Sequence, residues 1–171
     1  MRLLLVAAGL LVAASARAAT DSVAAVEELL GEWRVAEAAE AAQEGLREHP
    51  QDPAALFLAA RVAFYESDYA RARDLARQAA AAKGDSGSAK DAAEMVAYLD
   101  ERAPLWTSFE ETKSEHFVIR VTPRDRILVP YAVEALEGAV VAMREELGFE
   151  PKRPVVVEMY PSRRAFIAAS T

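Results

Sequence analysis

Two stretches, GEWRVAEAAEAAQEGLREHP at 31–50 and YESDYARARDLARQAAAAKG at 65–84, align without a gap at an offset of 34 residues. Val35 falls on Tyr69, Ala38 on Ala72, Ala42 on Ala76 and Leu46 on Ala80. A self-similar period of this length is the mark of a helix–turn–helix array, in which each unit hides its apolar face against the next. Small residues such as Ala38 and Ala72 let two helices approach closely. The bulkier side chain three positions earlier, Val35 or Tyr69, fills the gap beside them. Pro50 cannot continue a helix and ends the first unit.

Residues 21–86 resemble the tetratricopeptide repeat family. The second unit matches better, with a first helix from Pro53 to Glu66 whose stripe is Leu56, Ala59, Ala60, Ala63 and Phe64, and a turn at Ser67-Asp68-Tyr69. The first unit departs from the pattern: Trp33 stands where the turn usually has a small residue, and Gly45 replaces a helical alanine. A pair of helical hairpins unrelated to that family is the alternative. GDSGS at 84–88 has loop composition. A helix over roughly 89–102 follows, with Ala92, Met95, Val96 and Leu99 inward, as a cap on the stack that Pro104 ends.

Beyond Pro104 the period changes. In EHFVIRVTP, 115–123, Phe117, Ile119 and Val121 alternate with Val118, Arg120 and Thr122, as in a strand with one buried face. Val129, Val133, Leu136, Val140, Met143 and Leu147 then form one continuous apolar stripe of a helix. Pro130 suits its first turn, Gly148 the left-handed position past its end, and Phe149 can fold back near Met143. PVVVEMY, 154–160, is a second strand, and Val155, Val156 and Val157 in a row suggest a central one buried on both faces. Ser162 is an N-cap for a helix from Arg163. The fold class expected is therefore mainly α: tetratricopeptide-like helical hairpins over 19–103, then an incomplete α/β domain, strand-helix-strand-helix, over 104–171. Two strands and little more than one helix cannot bury their own apolar faces, so the chain is expected to be a fragment.

Residues 115–167 are similar to the start of the peptidase MA-like domain, in the gluzincin group of zinc metallopeptidases. EHFVIRV, the long helix ending ELGFEPKRPV, and VEMYPSRRAFIAAS carry the similarity. The resemblance implies zinc-assisted peptide hydrolysis in a complete protein. There, a helical His-Glu-x-x-His would hold the ion and a downstream Glu would be the third ligand. No such motif is present: His49 precedes Pro50, and His116 precedes Phe-Val-Ile. The chain therefore offers no catalytic, cofactor-binding or metal residue of its own, and zinc belongs to a motif expected beyond Thr171.

Composition narrows the rest. Of 171 residues, 53% are apolar and 27% charged, which places the chain with globular proteins. The absence of cysteine excludes disulfides, thiolate zinc sites and a thiol nucleophile. The net charge of −7 argues against nucleic acid as a partner. MRLLLVAAGLLVAASARA at 1–18 has a cationic start, a short apolar run and a small-x-small end, the build of a secretory signal peptide. Its removal would leave a secreted or periplasmic bacterial protein with no stable membrane span. An uncleaved anchor is the alternative. The partner expected is a protein or peptide held by the repeats; a non-enzymatic interaction scaffold is the rival to a peptidase.

Single residues read blandly. His49 suits a helix end. His116 is placed at a sheet rim, with substrate contact the minor alternative. Glu110-Glu111 and Glu145-Glu146 are taken as solvated helix faces, Arg163-Arg164 as an exposed first turn, and Trp33 and Trp106 as packing residues at joints.

Overall fold

The computed structural model describes residues 23–83 and 86–170. The signal-peptide reading at 1–18 lies outside them. The chain is mainly helical, with a small three-stranded sheet in its C-terminal part. It divides into two compact units between Asp100 and Glu101.

The first unit is a run of helices. They are α1 over 23–31, α2 Val35–Glu48, α3 Pro53–Tyr65, α4 Tyr69–Ala81 and the first part of α5, Ser86–Trp106. The alanines do the close packing: Ala38, Ala60, Ala63, Ala72, Ala76, Ala79 and Ala92 are buried. One core joins Val26 and Leu30 of α1, Ala38 and Ala42 of α2, and Leu58, Ala59 and Val62 of α3. A second joins Leu56, Ala79 and Ala92 across α3, α4 and α5. Asp52 caps α3, accepting from the Ala54 N–H at 3.1 Å, with Pro53 in the first turn. Asp68 caps α4 through the Arg71 N–H at 3.1 Å.

Two boundaries differ from expectation. Ser86, Gly87 and Ser88 belong to α5 and not to a loop, so polar composition alone misplaced the helix start. Pro104 does not end α5, which continues to Trp106. Proline deletes only the N–H that would reach the Asp100 carbonyl, and the helix stops within a turn of it. At the end of the helix the Thr107 N–H still donates to Ala103 O at 2.9 Å.

The second unit holds β1 Glu110–Lys113, β2 Phe117–Val121, a 3-10 turn at Pro123–Leu128, α6 Val129–Leu147, β3 Val155–Met159 and α7 Arg163–Ser170. The sheet order is β1-β2-β3, with β1 antiparallel and β3 parallel to β2. β1 was not foreseen: EETK is charged and largely exposed, so it carries no apolar alternation. Charged side chains of this kind suit an edge strand, where they discourage further pairing. Its presence removes the premise that the sheet has only two strands. Glu110 and Glu111 are thus strand residues, not a helix face. β2, not β3, is central. Val155 of β3 is 44% exposed, because β3 has one neighbour in this sheet and a row of valines does not supply a second.

Phe117, Ile119 and Val121 are buried as the alternation requires, against Val129 and Val140 of α6, with Val133, Leu136 and Met143 beside them. Leu147, the last residue of the stripe, is 74% exposed and outside this core. The helix drifts by about 20° per heptad relative to a straight stripe. Gly148 closes α6 at φ +64°, its N–H donating to Arg144 O while the Phe149 N–H donates to Met143 O. Ser162 caps α7 through the Ala165 N–H at 3.1 Å.

Candidate functional site

The richest polar cluster is built on His116, just before β2. Its backbone N–H donates to Glu137 Oε1 of α6 at 3.0 Å, and its Nδ1 lies 2.7 Å from Glu137 Oε2. Its Nε2 lies 3.1 Å from Glu150 Oε1, in the segment after α6. The Ser114 hydroxyl donates to the same Glu137 oxygen at 2.6 Å. Arg144 stands 3.7 Å from Glu150. His116 is mostly covered, with a side chain 12% exposed.

The electrostatics follow from this geometry. Hydrogen bonding to Glu137, then to Glu150, raises the His116 pKa above its ordinary value. The Ser114 hydroxyl, then the His116 N–H and ring, lower Glu137 to about 2. At neutral pH Glu137 is an anion held by three donors. The arrangement is not a nucleophile relay, because the Ser114 hydroxyl points at the carboxylate and not at the imidazole. It is not a metal cage either: the carboxylates meet opposite nitrogens of one ring, so no common point faces all three. Among the described residues no group of three or more His, Cys, Asp or Glu could hold a metal ion. The cluster fastens the start of β2 to α6 and to the loop leading to β3. Val155 N–H to His116 O, at 2.8 Å, ties in β3 as well.

The other sheet face carries a charge ladder set by register. Glu111, Arg120 and Glu158 are cross-strand neighbours on β1, β2 and β3. Arg120 reaches Glu111 at 3.2 Å and Glu158 at 3.4 Å, and the Tyr160 hydroxyl donates to Glu158 at 2.6 Å. Glu110, on the same strand as Glu111, pairs with Arg126, whose pKa it raises. These two glutamates therefore hold separate arginines and do not act as a pair. Glu145 and Glu146 are exposed on α6. Arg163 and Arg164 are exposed and, with Ile167 and Ala168, line an open groove of about 510 Å³.

In the first unit His49 caps α2 with its N–H donating to Gly45 O at 2.8 Å. The segments paired at an offset of 34 have matching environments: Ala38 and Ala72, Ala42 and Ala76 are buried, and Leu46 and Ala80 half-buried. Their entries match as well. Trp33 at φ +59° and Ser67 at φ +58° hold the same left-handed turn. Trp33 N–H donates to Leu30 O and Arg34 N–H to Leu29 O; Ser67 N–H donates to Phe64 O and Asp68 N–H to Ala63 O. Trp33 is not the packing residue expected, however. It is 76% exposed, touching the ring of Tyr65 edge-on at 5.7 Å between centroids. Trp106 is half-buried at the end of α5.

Sequence reasoning placed His116 at a strand start but missed its two carboxylates. Glu137 is 21 positions from His116 in the chain, and only the β2–α6 packing brings it near. No helix among the described residues is long and apolar enough to cross a membrane. Comparison with protein-family models, curated proteins and solved structures finds no match to this chain.

Proposed function

We propose that the chain is a protein-interaction module of tetratricopeptide-like hairpins, joined to an α/β unit that resembles the opening of a peptidase MA-like domain. The hairpins recruit a protein or peptide, and the chain has no zinc or catalytic residue of its own. The observation that carries this reading is the return, after 34 residues, of one capping turn and one burial pattern in α2 and α4. Stacked hairpins of this kind present a long surface made of side chains from successive helices, suited to an extended or helical peptide. The leader-like start assigns the work to the extracytoplasmic side of a bacterial cell.

Selection from a random peptide library on the immobilised whole chain tests the reading. Selected peptides are expected to bind and to slow amide exchange within 23–83. An empty selection, or protection confined to 110–170, overturns it.

A second reading, a zinc metallopeptidase, draws on the parallel β2–β3 pair joined by α6 and followed by a Ser162-capped helix. Reading the coding DNA past Thr171 tests it. A frame that reaches His-Glu-x-x-His supports zinc-assisted peptide hydrolysis, and a stop codon before any such motif removes it.

A further inference from the structure

We infer that Trp33, with Tyr65 beside it, anchors a cationic segment of the partner peptide; this rests on the interaction reading above. Trp33 occupies the position past the end of α1 where a left-handed backbone is required, a place that glycine fills most easily. A left-handed backbone is less favourable for a residue with a side chain than for glycine, because the Cβ crowds the following carbonyl. The same turn 34 residues later is made by Ser67, so closing a hairpin here does not call for an indole. Burial does not offset the cost, since the side chain is 76% exposed. What the tryptophan gains in the free chain is one edge-on contact with Tyr65, itself 40% exposed.

The two rings make an exposed aromatic corner at the joint of α1 and α2 and the end of α3. Large aromatic side chains are the usual centres of binding energy at protein interfaces. The surrounding charge selects the occupant. Residues 23–48 hold seven glutamates against two arginines, and both arginines are already held, Arg34 between Glu32 and Glu37 and Arg47 by Glu44, while Arg61 of α3 pairs with Glu27. A net negative hairpin attracts Lys and Arg and repels acidic chains. The open indole face adds a cation–π site for the same groups.

Fluorescence polarisation on the whole chain tests the assignment, with two labelled peptides of equal length: one alternating Arg and Gly, the other Glu and Gly. The basic peptide is expected to bind and the acidic one not. Trp33→Ser, which copies the equivalent turn, is expected to weaken binding about tenfold or more, the scale of an aromatic anchor. Trp33→Phe should keep most of the affinity, with both variants retaining the helical circular dichroism of the parent. Equal binding by the Ser variant would mean that charge alone attracts the peptide, and the anchor would be refuted. So would a failure of the basic peptide to bind. If library selection yields binders without Lys or Arg that ignore Trp33→Ser, the interaction reading stands and this assignment falls. An empty selection removes both.

Discussion

His116 is held from two sides by Glu137 and Glu150, with Glu115 adjacent in the chain and Arg144 reaching Glu150. Its folded pKa is raised above 6.5, so its contribution to stability is complete below 6.5 and is lost as pH rises through the folded value. Glu137 runs the other way. Its folded pKa is lowered from 4.5 to about 2, so its contribution is complete above 4.5 and is lost as pH falls through about 2. The cluster therefore fastens the second unit most firmly between 4.5 and 6.5. Urea denaturation across pH should show stability falling on the alkaline side of that window. His116→Gln, which cannot titrate, should flatten that limb; an unchanged slope would assign the pH dependence elsewhere. The sequence places His116 beside a strand, but Glu137 is 21 positions away. Side chains so distant meet only once α6 lies on the sheet, which is why the cluster was illegible beforehand.

At the scale of elements, the helices of the first unit depend on alanine where two axes come close. Ala72, in the first turn of α4, is fully buried, and α4 packs on α3. Ala72→Leu adds volume with nowhere to go and should destabilise the unit by about 1–3 kcal/mol. Chemical denaturation followed by circular dichroism at 222 nm, the usual helix band, reads this directly. A neutral outcome would mean that the α3–α4 contact is loose enough to accommodate a branched side chain. The helices were legible because their signals are local: Pro53, Gly148 and Ser162 mark ends through their own backbone or through bonds to neighbouring residues. β1 was illegible for the complementary reason. EETK has no apolar period, and it is a strand only because β2 lends it a ladder, Glu110 to Val121 through Lys113 to Val118.

At the scale of the whole molecule, the two units have cores made of different residues. Ile119, fully buried at the centre of β2, belongs to the second alone. Ile119→Ala should cost about 2–5 kcal/mol, the range for a truncated core aliphatic. Amide exchange should then accelerate across β2 and α6 while α2 to α4 keep their protection. Equal acceleration in both would show one cooperative fold instead of two. The sequence by itself determined the helical hairpins, the alternation of β2, the Ser162 cap, and the long helix with its glycine stop. All of these rest on periodicity and on bonds within a few residues. Tertiary structure alone decided that β2 is central and β3 lateral, that α5 runs through Pro104, and that His116 meets Glu137 and Glu150. It also decided that Trp33 points to solvent. Each of these depends on which surfaces the chain brings together, and packing between distant segments leaves no period in the residues that take part in it.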